Sequence, residues 1–110
     1  MEHINKIELR GNVGSVRINE HNGKKVANFS VVTELLYKSR EGAPALETTW
    51  HNIVAWSGKD ICNLDLITKG TPVHLTGRVR TNRYTTSEGI EKTFDEILAN
   101  RLQIVSEEEM

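Results

Sequence analysis

One stretch constrains this chain more than any other: Glu47 to Ser57, Glu-Thr-Thr-Trp-His-Asn-Ile-Val-Ala-Trp-Ser. β-branched and aromatic residues are dense in it, and neither Gly nor Pro interrupts it before Gly58. Such a run is a strand. Side chains alternate along a strand, so Trp50, Asn52, Val54 and Trp56 share one face. Thr49, His51, Ile53 and Ala55 share the other. Neither face is cleanly polar, so the strand is expected at the centre of a sheet, with work for both surfaces. At about 3.3 Å per residue, the two tryptophans stand roughly 20 Å apart. They cannot stack on each other. They suit two separate aromatic platforms along a groove; burial of both in the core is the competing reading.

The rest of the chain reads mostly as strand. Ile4 to Ile18 alternates, with Gly11 and Gly14 inside it. Glycines within a strand mark a bulge or bend, the device that curls a sheet into a barrel. Asn22-Gly23 between two strand patterns is a hairpin signal, because both central positions need positive φ. Val26 to Thr33 returns and runs on through Leu35, Leu36 and Tyr37. Lys38 to Leu46, with Ser39, Gly42 and Pro44, is an exposed loop carrying Lys38 and Arg40 beside Tyr37. Between Gly58 and Lys69 the period changes: Ile61, Leu64 and Ile67 follow one helix face, and Lys69-Gly70 with Pro72 beyond supplies a stop. Val73 to Asn82 is a strand with Arg78 and Arg80 on one face, followed by Arg83-Tyr84. Thr85 to Gly89 turns. Thr93 to Val105 is the last strand; a helical turn over Glu96 to Leu102 is its alternative, and Asn100 marks a break. The expected fold is all-β with one short helix: a five-stranded Greek-key barrel of the oligonucleotide-binding (OB) type, the helix between strands three and four. Residues 1–105 make the domain and 106–110 an acidic tail.

Charge and composition narrow the function. Formal net charge is −1, but residues 1–85 sum to +4 and residues 86–110 to −5. A basic body with an acidic end is the informative asymmetry. Cys62 is alone, so no intrachain disulfide forms, and a reduced cytoplasmic setting is expected. No apolar run approaches the 18 or so residues of a membrane span, and the N-terminal residues lack a signal-peptide pattern. No G-x-S-x-G, H-E-x-x-H or P-loop is present, so neither a catalytic residue, a cofactor nor a metal is expected. His51 reads as a buried or subunit-contact histidine rather than a base. What remains is binding. Tyr37 lies with Lys38 and Arg40, Trp50 and Trp56 with Lys59, and Tyr84 with Arg78, Arg80 and Arg83. No acid falls between Asp65 and Glu88, while Lys69, Arg78, Arg80 and Arg83 do. Bases stack on aromatic faces and cations follow phosphates, so this combination suits single-stranded nucleic acid.

The chain closely resembles the bacterial single-stranded DNA-binding protein family. The resemblance is carried by Asn5 to Gly14, Asn22-Gly23 with Val26 to Phe29, Thr49-Trp-His-Asn-Ile-Val54, Lys69-Gly-Thr-Pro-Val73 and Gly77-Arg-Val-Arg-Thr81. It runs from about residue 4 to 105. It implies that Tyr37, Trp50, Trp56 and Tyr84 stack on bases, and that Lys59, Lys69, Arg80, Arg83 and, more loosely, Lys38 and Arg40 contact phosphate. Asn52 stands where the family commonly has a cation. His51 takes the place of a histidine linked to subunit contact. The implied assembly is a homotetramer of paired dimers, with a dimer as the alternative, acting in the cytoplasm at the nucleoid in replication, recombination and repair. Family members continue through a flexible linker to an acidic tip with a terminal Phe that recruits other proteins. Here the sequence reads Ser-Glu-Glu-Glu-Met, so recruitment by that route is not expected. A replication-restart adaptor of the same fold, working mainly through protein contacts, is the other reading; it does not need four aromatic stacking positions.

Overall fold

In a computed structural model, which describes residues 1–106, five strands follow in order: β1 (Ile7–His21), β2 (Lys24–Lys38), β3 (Pro44–Trp56), β4 (Pro72–Thr85) and β5 (Glu91–Ile104). They pair as a closed barrel in the sequence β1-β2-β3-β5-β4, with β4 returning to β1. All pairings are antiparallel except the short β3–β5 contact at Ile53↔Ile97 and Val54↔Leu98. This is the expected Greek-key barrel. The tail residues 107–110 lie outside the described part. Among the described residues no helix is long and apolar enough to cross a membrane.

Turn chemistry sets the hairpins. Asn22 has φ 51° and Gly23 φ 83°, the pair of positive values that a two-residue turn between β1 and β2 requires. The β2–β3 turn is closed by Gly42 N–H donating to Ser39 C=O and Ser39 N–H donating to Ala43 C=O, each 2.9 Å. β3 therefore begins at Pro44, three residues before the expected Glu47. The bend expected at the β1 glycines is a register shift between Val13 and Val16. The break expected at Asn100 is a bulge: Thr76 pairs with Arg101 and Gly77 with Ala99, leaving Asn100 unpaired, its Oδ1 accepting from Thr76 Oγ1 at 3.0 Å. Glu96 to Leu102 is strand throughout, not a helical turn.

The helix expected between Gly58 and Lys69 is instead a single 3-10 turn, Leu64–Leu66. The physical reason lies on both sides of it. Before it, Asp60 C=O and Cys62 N–H pair with the backbone of Leu102, each at 2.9 Å, so this part is extended. After it, Ile67 is extended at φ −84°, ψ 116°. Only Asn63 to Ile67 is left, and Asn63 caps it by accepting from Asp65 N–H. A three-residue apolar spacing fits one 3-10 turn as well as an α-helix. Leu64 and Ile67 still do what the pattern asked: both are buried, in the same core as Phe29, Val31, Ile53, Leu75, Ile97 and Leu102. Cys62 packs partly against that core.

The barrel is smaller than the molecule. The radius of gyration is 16.3 Å, against about 13 Å for a compact chain of this length. The β2–β3 and β4–β5 hairpins project beyond the core, which is why Leu35, Leu36, Leu46 and Tyr84 are exposed. His51 sits where the inward face of β3 leaves the barrel. It is half-buried, within 3.0 Å of Thr33 Oγ1, and burial pushes its imidazole below the ordinary value. His74 pairs with Glu8 at 2.7 Å, and that contact lowers the Glu8 carboxyl.

Two expectations follow. Leu102 is fully buried and anchors both β5 and the β3–β4 connection, so Leu102→Ala should cost about 2–5 kcal/mol in chemical denaturation. His51 resists protonation in the fold, so its contribution is complete above the ordinary histidine value of about 6.5 and is lost as pH falls below it. The midpoint of thermal unfolding should drop between pH 7 and 5.5, and His51→Gln should flatten that drop; an unchanged pH profile would assign it to other groups.

Candidate nucleic-acid interface

Strand parity decides which side chains meet. On β3, Ile53 and Ala55 fill the core, so the alternate residues Trp50, Asn52, Val54 and Trp56 have the outward parity; Trp50, Asn52 and Trp56 are exposed, while Val54 is covered. Their cross-strand partners on β2 are Val32, Ser30, Asn28 and Val26. β1 continues the surface with Ser15, Arg17 and Asn19. Across β3 the same outward face passes to Leu98, Glu96 and Phe94 of β5, then to Arg78, Arg80, Asn82 and Tyr84 of β4. An open groove of about 480 Å³ crosses this surface, lined by Ser15, Arg17, Asn28, Asn52, Phe94 and Glu96 among others. A second hollow of about 210 Å³, with Trp50 and His51 in its wall, adjoins it at Asn52 and Glu96.

All four expected aromatics are outside the core: Tyr37 is 47% exposed, Trp50 61%, Trp56 41% and Tyr84 47%. The core reading of the tryptophans is thus excluded. Each ring is braced differently. Trp50 lies over Gly14, where an added Cβ would come within 2.3 Å of Trp50 Cζ3. The β1 glycine that allows the bend therefore also makes room for the indole. Trp56 packs at 5.9 Å from the His21 ring, tilted 49°. Tyr84 lies 5.9 Å from Phe94, tilted 59°. Tyr37 pairs with Ala45 and has the opposite parity to Trp50. It belongs to the face of Leu35, Thr33 and His51, so the projecting hairpin carries one aromatic on each side.

The cations divide as well. Lys38, Arg40 and Arg78 are exposed, with no ion pair among the described residues. Lys69 is exposed on the connection where Gly70 N–H donates to Val13 C=O, beside the β1 bend. Arg83 reaches Glu91 at 3.7 Å, both exposed. Arg80 is held by Glu96, Nε to Oε1 2.7 Å. Lys59 is not brought to the groove: it lines a separate cleft with Ile61, Leu66 and Ile104. Among the groove residues not expected from the sequence are Arg17, Phe94 and Glu96. Arg17 was legible, since it is out of phase with Val16 and Ile18 on β1. Phe94 and Glu96 were not, because only the closure of β5 against β3 sets them beside Asn52.

Comparison with known proteins places this geometry. The model of the single-strand binding protein family matches residues 4–105. A single-stranded DNA-binding protein of Neisseria meningitidis serogroup A is 34% identical over 105 residues, covering 93% of this chain and 60% of that protein. Single-stranded DNA-binding protein 1 of Chlorobaculum tepidum is 34% identical over 107 residues, covering 93% and 65%. The chain thus spans about 60% of the length of such relatives. Among solved structures, a Plasmodium falciparum SSB in complex with ssDNA superposes with a TM-score of 0.79 at 29% identity, covering 96% of this chain and 98% of that one. A deletion mutant of the single-stranded DNA binding protein from Thermus aquaticus shares the fold, with a TM-score of 0.78 at 15% identity over 94% of this chain and 51% of that one. With its barrel order, its outward aromatics and a family match over nearly its whole length, the chain belongs to the single-strand binding protein family.

Proposed function

We propose that this chain binds single-stranded DNA without regard to sequence and protects it during replication, recombination and repair in the cytoplasm. It is a binding protein and catalyses no reaction. One observation carries the reading: the outward parity of β3 exposes Trp50 and Trp56 on either side of the Asn52–Val54 segment that lines the groove, while the inward parity is spent on the core. Bases stack on the two indoles and on Tyr37 and Tyr84, and the phosphates run past Lys38, Arg40, Lys69, Arg78, Arg80 and Arg83. Arg17 joins them as a groove cation. Stacking offers every base the same π-face, so no sequence is read. Lys59 contributes only to a strand that wraps beyond the groove, since it lies in another cleft. Family membership supports assembly into a homotetramer, or a dimer, with the face around His51 as the contact; a single 12.4 kDa species in sedimentation equilibrium would overturn assembly.

Titration with oligo-dT, followed by tryptophan fluorescence at low and high salt, tests the reading. Strong quenching that survives high salt is expected. Trp50→Ala and Trp56→Ala should each weaken binding by about 1–3 kcal/mol. Gly14→Ala should act in the same direction as Trp50→Ala, because the new methyl occupies the space of the ring. Binding without quenching, lost entirely at high salt, would leave charge alone and favour the adaptor.

A further inference from the structure

Among the described residues one charged side chain is buried, and it is an acid on the groove: Glu96, 8% exposed. An uncompensated carboxylate there would be costly. It is compensated twice by β4. Arg80, its direct cross-strand partner, donates from Nε to Oε1 at 2.7 Å, and Asn82 Nδ2 donates to the same oxygen. Glu96 borders both hollows, the one with Arg17, Asn28 and Phe94 and the one with Trp50. A fixed negative charge beside a path for phosphates opposes binding unless it does something else.

The contact geometry points to what that is. A guanidinium is a rigid planar fork, and engagement through Nε leaves its two Nη groups for another oxyanion. Arg80 keeps 40% of its side chain exposed while its Nε is held, and its side chain makes no other hydrogen bond or ion pair among the described residues. We propose that Glu96 is a positioning residue for strand binding: it clamps Arg80 by Nε, with Asn82 fixing the carboxylate in turn, so that the Nη edge is presented to a backbone phosphate. An arginine ordered before the strand arrives loses less rotamer freedom on binding than a free one. This rests on the single-strand reading above and adds a role for an acid that charge counting would score against it. The rival role is a brake, in which Glu96 simply cancels Arg80.

The two roles differ in sign. Oligo-dT affinity is measured against salt for the wild type, Arg80→Ala, Glu96→Ala, the double variant and Glu96→Gln, with thermal unfolding of each. Removing one phosphate contact from a single strand lowers the salt slope by about 0.7. Positioning predicts that Arg80→Ala and Glu96→Ala each lose that increment and weaken binding by about fivefold to tenfold, and that the double variant is no worse than Arg80→Ala, since the two act as one unit. Glu96→Gln, whose Oε1 still accepts from Arg80 and Asn82, should keep the wild-type slope and an affinity within about threefold. Tighter binding by Glu96→Ala, or by Glu96→Gln with a steeper slope, would overturn positioning in favour of the brake. An Arg80→Ala slope equal to wild type would overturn it as well. Should Glu96→Ala not fold, the Glu96→Gln slope and affinity decide alone. Failure of the wild type to bind oligo-dT would instead sink the single-strand reading on which this role stands.

Discussion

Closure of the sheet is the constraint on which everything else here depends. Once β4 returns to β1, each strand has an inside and an outside, and every second residue is committed to the core. On β3 this is acute. Ile53 and Ala55 are taken by the interior, so Trp50, Asn52 and Trp56, on the other parity, have only the outer surface. A one-residue slip of register would put both indoles inside and the aliphatic core in water. The bulges at Val13–Val16 and at Asn100 hold the register while allowing the curvature that closure needs.

The same closure brings together an electrostatic arrangement that no linear count reveals. The chain is close to neutral overall, and its acids are concentrated after residue 85. Yet β5, which carries several of them, lies directly against the basic strand β4. Its acids are therefore consumed locally: Glu96 by Arg80 and Asn82, Asp95 by Thr81, Glu91 by Arg83. Lys38, Arg40 and Arg78 have no such partner among the described residues. What a strand of DNA would meet is this unpaired set with Arg17, Lys69, the exposed Arg83 and the Nη edge of Arg80, together with the aromatics, rather than the net charge.

Outside the barrel the logic of inside and outside lapses. The β2–β3 hairpin runs past the core, and both of its faces are wet. Tyr37 and Trp50 can then be exposed on opposite parities of one ribbon, and His51, at the point of exit, is neither core nor surface. A projecting two-faced hairpin suits a ligand that wraps around the protein or a neighbouring copy better than one lodged in a pocket.

Much of this was legible in the residues. Alternation at Val26–Thr33, Glu47–Ser57 and Val73–Asn82, the Asn22-Gly23 turn and the β1 glycines specify strands, hairpin and bends, because the side-chain period and the sign of φ are local properties. Aromatics interleaved with cations pointed to Tyr37, Trp50, Trp56 and Tyr84, and the motifs around Trp50 and Gly77 carried the family. The short helix expected in the β3–β4 connection is present there as a single 3-10 turn; a three-residue spacing does not distinguish one such turn from a longer helix, and backbone pairing of Asp60 and Cys62 with Leu102, some 40 residues away in sequence, sets its length. The removal of Lys59 from the groove, the entry of Phe94 and Glu96, and the clamping of Arg80 were likewise decided by tertiary structure alone. Each depends on which strand lies beside which, and a contact between distant strands leaves no periodic trace in either.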